Sequence, residues 1–260
     1  MSSVPASSDL LYFTERGSGP PLLLVHGFMV TGEMFEPVID HFAVRHRVIV
    51  PDLRGHGRSR RLGPPYTAAR LACDLWRLLD HLGIDSTAVL GYSMGGAIAQ
   101  QLYLDQPKRC NRLVLACTYA FKMATFPERL QGHLVPLLFR VIGMRRFAKL
   151  VFCLTRGSRR LGKERVDWLV GLIGDQDRKS MVSGWKAAVA FDSRRCLADI
   201  KCPTLIVAAS NDRSVPLHHA KVLHDGITGS QLVIFDGADH GLIWVRTGDL
   251  LRVSDDFLGA

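Results

Sequence analysis

A chain of 260 residues, 47% of them hydrophobic and 22% charged, has enough apolar side chains to fold as one large globular domain. The six cysteines are scattered without a C-x-x-C pair, which excludes metal-ligand spacing, and no apolar run reaches the roughly 18 residues that span a bilayer. The first residues carry neither a basic start nor an apolar core, so the sequence predicts a cytoplasmic protein with reduced thiols.

The net charge of +9 lies entirely within one segment of the chain. Residues 122–165 contain 11 basic and 2 acidic side chains, whereas the remainder contains 22 of each. No stacking platform or recognised module for nucleic acid accompanies these charges, so no nucleic-acid partner is expected. We expect the basic side chains to cover the outer faces of helices, with little preference for anionic substrates. Contact with an anionic membrane surface or a carrier-linked acyl group is the alternative.

Short apolar runs alternate with amphipathic stretches along most of the chain. The runs predict buried strands, and the stretches between them have helical periodicity. This alternation predicts an α/β fold with a mostly parallel, doubly wound sheet covered on both faces. The predicted strands are 10–14, 21–25, 47–50, 87–90, 112–117, 204–208 and 231–235, and the helices that alternate with them are 33–42, 66–82, 94–104 and 242–258.

The alternation stops in the middle of the chain, where only helices are predicted, at 127–142, 144–155, 163–174 and 178–191. A helical insertion that follows a strand of such a sheet is expected to cap the carboxyl ends of the strands, where ligands bind. We therefore divide the chain into a core of residues 1–120 and 199–260 and an inserted helical cap of residues 121–198. The candidate pocket-lining residues are Phe126, Trp168, Met181, Trp185, Phe191 and Trp244.

The sequence Gly-Tyr-Ser-Met-Gly-Gly at residues 91–96 is the strongest functional signal in the chain. It follows an apolar strand and precedes a helix, so the chain turns sharply at Ser93 and leaves its hydroxyl exposed. Gly91 and Gly95 suit such a turn because bulky neighbours would prevent it from closing. The pattern by itself is common in a glycine-rich chain, and its context makes Ser93 the candidate nucleophile.

A serine hydroxyl needs a neighbouring base, and the base needs a third group to orient it. Among the ten histidines, His240 is the best base because it follows the last predicted strand in a polar loop near Ser93. The orienting acid is expected at a strand end, and Asp212 follows the sixth predicted strand. Asp236 and Asp239 compete with it, but they lie so near His240 that we interpret them as turn formers.

The oxyanion of an acyl-transfer intermediate needs two preorganised donors. One is expected to be the backbone N–H of Met94, at the start of the helix after the candidate nucleophile. The other is expected from the loop after the strand 21–25, where Gly27 permits close approach and Phe28 supplies the backbone N–H.

Five motifs in this order resemble the α/β-hydrolase superfamily. They are His-Gly-Phe at 26–28, Asp-Leu-Arg-Gly-His-Gly-Arg-Ser at 52–59, Gly-Tyr-Ser-Met-Gly-Gly at 91–96, Asn-Asp at 211–212 and Asp-His-Gly at 239–241. The resemblance implies the α/β-hydrolase fold and a triad of Ser93, Asp212 and His240. It implies an oxyanion hole built from the amides of Phe28 and Met94, and a structural role for the second motif. No metal or cofactor is implied.

Ser93 excludes three branches of this superfamily. Members that resemble haloalkane dehalogenases and epoxide hydrolases carry aspartate at this position, and those that resemble dienelactone hydrolases carry cysteine. We expect a serine esterase that cleaves a small to medium, rather apolar carboxylic ester through an acyl-serine intermediate, with that small-molecule ester as the expected partner. Lactonase, thioesterase, perhydrolase and carbon–carbon hydrolase activities are alternatives on the same triad. A ligand receptor of this fold with very slow turnover is the alternative from another class.

Overall fold

The computed structural model describes residues 9–154 and 157–259, without the side chains of residues 154 and 157–160. Within these residues one sheet of seven strands forms, and the predicted α/β class and mostly parallel sheet are confirmed. The strands are β1 (Phe13–Arg16), β2 (Pro21–Val25), β3 (Arg47–Pro51), β4 (Thr87–Tyr92), β5 (Cys110–Ala116), β6 (Thr204–Ala209) and β7 (Gln231–Phe235).

The strand order is β1-β3-β2-β4-β5-β6-β7, in which β1 runs antiparallel to β3 and every other pair is parallel. The first strand begins three residues later than the prediction of 10–14. Just before it, the Tyr12 N–H donates to Ser59 Oγ and the Tyr12 carbonyl accepts from Asp52 N–H. These bonds tie the backbone before Phe13 to the loop that follows β3.

Successive residues of a strand point to opposite faces of the sheet. Both sets of side chains are apolar and buried, so helices cover both faces. Leu22 and Leu24 face α1 (Glu36–Ala43) and α10 (Thr247–Leu258). Leu23 and Val25 face α2 (Ala68–His81), α3 (Met94–Asp105) and α8 (His218–Gly226). The predicted helix at 242–258 is two helices, because Arg246 has non-helical backbone angles of −131° and 36°. The core helices are α1 (Glu36–Ala43), α2 (Ala68–His81), α3 (Met94–Asp105), α8 (His218–Gly226), α9 (Leu242–Val245) and α10 (Thr247–Leu258).

The structure describes four α-helices between β5 and β6, namely α4 (Phe126–Ile142), α5 (Met144–Leu154), α6 (Gly157–Gly174) and α7 (Arg178–Ala190). Thr125 and Glu128 form a capping box that starts α4, and Gly143, with a φ of 75°, ends it. Gly162 has a φ of 73° and kinks α6, which begins earlier than the predicted 163–174. The bounds 121–198 for a separate cap stay a prediction.

The fold gathers the candidate functional loops at one edge of the sheet. Because β2, β4, β6 and β7 are parallel, their carboxyl ends meet there. These ends lead directly to Phe28, Ser93, Asp212 and His240. In the ranges that the structure describes, no helix combines the length and the apolar character needed to cross a bilayer.

Candidate active site

Ser93 occupies a sharp turn between β4 and α3 with a φ of 55° and a ψ of −121°. Positive φ at a serine is strained, and the close packing around this turn maintains it. A Cβ at Gly91 would lie 2.5 Å from the Gly95 carbonyl oxygen, and a Cβ at Gly95 would lie 2.0 Å from the Val25 carbonyl oxygen. Both positions therefore require glycine, because β4, α3 and β2 approach each other too closely for any side chain.

The side chains of Ser93, His240 and Asp212 form one hydrogen-bonded chain. Ser93 Oγ lies 3.1 Å from His240 Nε2, and His240 Nδ1 lies 2.6 Å from Asp212 Oδ2. The second oxygen of the buried Asp212 carboxylate accepts the N–H groups of Ser214 and Val215, both at 2.8 Å. With Nδ1–H directed at the carboxylate, Nε2 is free to accept the serine proton, which is the arrangement a general base requires.

The two competing carboxylates have other partners. Asp239 Oδ1 accepts the Gly241 N–H at 2.9 Å, and the exposed Asp236 accepts the Ser210 hydroxyl at 3.0 Å. The Tyr92 hydroxyl donates to the His240 carbonyl at 2.8 Å and so holds the loop that follows β7. Asp212 is therefore the carboxylate that contacts the His240 ring.

The backbone after β2 lies against Ser93 and is held in place by His26. His26 Nδ1 donates to the Gly27 carbonyl at 2.7 Å, and its Nε2 accepts the Leu53 N–H at 2.9 Å. Burial lowers the pKa of His26 to about 4, so the ring is neutral and can accept that bond. A Cβ at Gly27 would lie 3.3 Å from Ser93 Cβ. This contact brings the loop next to the candidate nucleophile.

The N–H groups of Phe28 and Met94 have no acceptor within the described part of the chain, and both residues line the cavity beside Ser93. The Met94 N–H is free because it belongs to the first turn of α3. Two free donors at the positions proposed for an oxyanion hole are what the chemistry requires.

The loop at 52–59 braces this region from outside the cavity. The Asp52 carboxylate accepts the N–H groups of Gly32 and Arg58, both at 2.9 Å. The buried His56 ring stands edge-on to the His26 ring, with 5.2 Å between centroids, and burial lowers its pKa to about 3. His56 does not line the cavity beside Ser93.

A cavity of about 220 Å³ opens beside Ser93 and His240. It is smaller than the roughly 300–1,000 Å³ typical of sites for drug-sized ligands, so it suits a small substrate. Trp185 of α7 and Trp244 of α9 line it, as the sequence analysis expected of them. The other apolar lining residues include Phe28, Val135, Phe147, Leu169 and Ile173.

The other four residues predicted to line the pocket lie elsewhere. Phe126 is 78% exposed on the outer side of α4, so its assignment was wrong. Trp168 lines a separate surface groove, where the Arg165 guanidinium lies 5.2 Å from its ring. Met181 is fully buried in the apolar core, and Phe191 packs in a small cluster with Tyr119. Helical periodicity identifies apolar faces but does not determine which of them faces the substrate.

Lys122 lines the same cavity and was not predicted as a site residue. Its side chain is buried, and Nζ donates to the Ser214 carbonyl at 2.9 Å and lies 5.7 Å from the centre of the Trp185 ring. No carboxylate in the described part of the chain is close enough to form an ion pair with it. Burial lowers the pKa of Lys122. The expectation that the basic segment faces outward is therefore wrong for its first residue.

The other basic side chains described in this segment lie at the surface of the cap. Arg165 is half-buried, and the exposed ones are Arg129, Arg140, Arg145, Arg146, Lys149 and Lys163. Arg156, Arg159 and Arg160 fall outside the described side chains. The outward placement expected from the sequence therefore fits these described residues.

Two clusters in the described residues have metal-ligand chemistry. One combines Cys117 with Asp212 and His240, whose polar atoms already bond to each other. In the other, Glu128 Oε1 lies 2.7 Å from His219 Nε2 and 3.3 Å from His218 Nε2. Glu128 also accepts the Thr125 N–H as part of the α4 cap. These bonds account for the Glu128 carboxylate without an ion.

Two further positioning contacts had no sequence signal. The Thr118 hydroxyl donates to the Ser93 carbonyl at 2.6 Å, and the Tyr92 hydroxyl bonds the His240 backbone. Both pairs are distant in the chain, so only the fold brings them together. His26 belongs to the His-Gly-Phe motif at 26–28, but that motif does not predict the bond between its ring and the Leu53 N–H.

A family model described as "alpha/beta hydrolase fold" matches residues 20–247. The RutD protein of Azorhizobium caulinodans is 30% identical over 236 residues, which are 88% of each chain. A hydrolase from Pseudomonas aeruginosa superimposes with a TM-score of 0.88 and 27% identity, covering 96% of this chain and 94% of that one. A thermophilic esterase from Thermogutta terrifontis gives 0.85 and 25%, covering 95% and 92%.

Proposed function

Because the chain belongs to the α/β-hydrolase fold family, we propose that it is a serine hydrolase of small to medium carboxylic esters. Ser93 is the nucleophile, His240 the base, Asp212 the orienting acid, and the N–H groups of Phe28 and Met94 form the oxyanion hole. The observation that carries the proposal is the continuous contact from Asp212 Oδ2 through His240 to Ser93 Oγ, at 2.6 and 3.1 Å.

The geometry supports a two-step acyl transfer. The serine proton moves to His240 Nε2 while Ser93 Oγ attacks the ester carbonyl carbon, and the resulting oxyanion accepts the Phe28 and Met94 N–H groups. The imidazolium then gives its proton to the leaving alcohol, which departs and leaves an acyl-Ser93. Water attacks this acyl group, gives a proton to Nε2, and returns Ser93 Oγ–H on release of the acid.

The cavity supports a small substrate that is largely apolar. Its lining is dominated by aromatic and aliphatic side chains, and Lys122 contributes one buried cation. A small apolar cavity selects the size of an acyl group, because a mismatch of one methylene costs roughly 1–3 kcal/mol in such a site. A carboxylate carried by the substrate would find its partner at Lys122.

The test is turnover of purified protein on a matched panel of substrates. The panel holds p-nitrophenyl esters of increasing acyl length, a lactone, a thioester and a carbamate, which is included because the full name of the RutD relative contains the words carbamate hydrolase. An optimum at a short acyl chain, with steady turnover and labelling of Ser93 by a phosphonate, supports the proposal. A burst of about one equivalent of product followed by near-arrest would favour a slow-turnover ligand receptor over an enzyme. Faster turnover of the lactone or the carbamate than of any ester would replace the proposed ester substrate with that compound class.

A further inference from the structure

The outer side of α4 carries a continuous apolar stripe. The exposed fractions of its members are 78% for Phe126, 48% for Leu130, 45% for Leu134, 53% for Leu137 and 71% for Val141. Across the described residues six large apolar side chains are at least 45% exposed, and five of them belong to this one helix. Single exposed apolar residues are ordinary, but a contiguous patch indicates a contact surface.

Helix geometry places the five residues on one line. At about 100° per residue they fall within an arc of roughly 80°, and from Phe126 to Val141 the stripe extends roughly 22 Å along the helix. The opposite side of α4 is also apolar, and there Val135 and Phe139 are buried in the core. The inner face therefore accounts for the packing of α4, and the outer face is left without a partner in the described residues.

Basic side chains border the stripe. Arg129, His133 and Arg140 lie along one edge of it by the same helix geometry, and all three are exposed. Neither arginine has an ion-pair partner in the part of the chain that the structure describes. The neighbouring α5 exposes Arg145, Arg146 and Lys149, and the whole net charge of the chain lies in this segment.

These observations favour an anionic lipid surface over a second copy of the chain as the partner of the stripe. In a symmetric dimer whose α4 helices pair antiparallel through this stripe, the basic edges of both copies would lie on the same side of the contact and repel each other. An anionic lipid surface instead attracts the arginines and accepts the apolar stripe at the boundary of its headgroups and acyl chains.

We propose that the outer face of α4 docks on an anionic membrane surface, with the stripe from Phe126 to Val141 inserted between headgroups and Arg129 and Arg140 on lipid phosphates. The helix lies in the plane of the interface and does not cross the bilayer. Val135 on the inner face of the same helix and the exposed Gln131 both line the cavity beside Ser93. Docking would therefore place against the lipid surface a helix that also lines this cavity.

Vesicle flotation of the full-length protein tests this without relying on catalysis. The vesicles are pure phosphatidylcholine, or phosphatidylcholine with 30% phosphatidylglycerol, a composition chosen on the order of natural anionic membranes. The parent should float with the anionic vesicles, and the double variant Leu130→Ser, Leu137→Ser should lose binding at least tenfold. Arg129→Gln, Arg140→Gln should reduce binding to anionic vesicles and leave the residual binding to neutral vesicles unchanged.

Val44→Ser is the matched control, since Val44 is as exposed as Phe126 but lies after α1, away from the cap. It should bind vesicles like the parent. Circular dichroism and turnover of a water-soluble ester by the Leu130→Ser, Leu137→Ser variant confirm that it is folded.

Three results would overturn the proposal. They are failure of the parent to float with anionic vesicles, vesicle binding by the serine variant equal to that of the parent, and a parent dimer in sedimentation that this variant converts to a monomer. The last result would assign the stripe to a second copy of the chain.

Discussion

The cavity lies between two walls that are held by different forces. The sheet wall is formed by the loops that carry Phe28, Ser93, Asp212 and His240, and the cap wall is formed by helices α4 to α7. On the sheet side, short polar contacts fix each group: Asp212 accepts two backbone N–H groups, and His26 bridges two loops. On the cap side the contacts are mainly apolar, such as the edge-to-face pair of Phe139 and Phe147 with 4.7 Å between ring centroids. Polar contacts specify direction and apolar contacts specify volume, so we propose that the sheet wall sets the chemistry and the cap wall selects the substrate.

The sharpest test of the sheet wall is removal of the proposed nucleophile. Ser93→Ala should reduce kcat for a p-nitrophenyl ester by roughly four to six orders of magnitude, as loss of a triad serine does. Stability should be little changed, because the Ser93 side chain has no packing role and the glycines around it set the turn. Steady-state kinetics and thermal melting check both points. Activity within tenfold of the parent would show that another group attacks the ester.

The second test separates the acid from its neighbours. Asp212→Asn should lower kcat by roughly two to four orders of magnitude, because an amide can present the wrong hydrogen-bond partner to His240 Nδ1. Asp239→Asn and Asp236→Asn are the matched controls and should cost less than tenfold. If Asp239→Asn were the more damaging change, the acid would belong to the other loop.

The difference between the walls also explains what the sequence could predict. Ser93, Asp212 and His240 follow strand ends, and a parallel sheet brings its strand ends to one edge. Apolar runs in the sequence identify these strands, so the proximity of the three residues could be predicted from the loops in which they lie. Bonds such as Tyr92 to the His240 carbonyl join residues more than a hundred positions apart and depend on the finished fold.

In the cap, the predicted helices formed but the pocket assignments were only partly right. Trp185 of the cap and Trp244 of the core helix α9 line the cavity, whereas Phe126 faces outward, because α4 has apolar side chains on two opposite faces. Lys122 was counted among surface charges because nothing local to it predicts burial. Which face of a cap helix turns inward depends on how the cap packs over the sheet, and one sequence carries little information about this.

The third test concerns the bracing of the sheet wall at low pH. The folded pKa of His26, about 4, lies below its unfolded value of 6.5. The unfolded state therefore binds more protons between these values, so stability is full above pH 6.5 and is lost as the pH falls towards 4. At about 1.4 kcal/mol per pKa unit, His26 should account for a loss of roughly 2 kcal/mol between pH 7.5 and 5.

Urea unfolding of the parent and of His26→Gln at both pH values measures this contribution. The variant should be less stable at pH 7.5, since the bond to the Leu53 N–H is altered, and its stability should fall less on acidification. His224→Gln is the control, because His224 is exposed, and it should behave like the parent at both pH values. An equal pH dependence in His26→Gln and the parent would contradict a buried neutral His26.

The fourth test has the smallest expected effect and asks whether Lys122, which lines the cavity, selects anionic substrates. Lys122→Met should lower kcat/KM for a carboxylate-bearing ester by roughly tenfold, the loss of one charge-assisted hydrogen bond, and change a matched neutral ester by less than threefold. Because Lys122 is buried, this preference should persist at high salt, whereas steering by surface charges would disappear. Lys149→Met, at an exposed position of the same segment, is the control and should leave the ratio of the two esters unchanged.

The pH dependence gives the same experiment a second readout. Burial holds the pKa of Lys122 below 10.5, so the preference for the anionic ester should decline as the pH rises through that lowered value. If Lys122→Met and the parent shared the same preference at every pH and salt concentration, the ammonium would serve only to hold the Ser214 carbonyl. The loss of that one bond should then appear as a lower melting temperature and an equal loss of activity on both esters, because Ser214 belongs to the loop that carries Asp212.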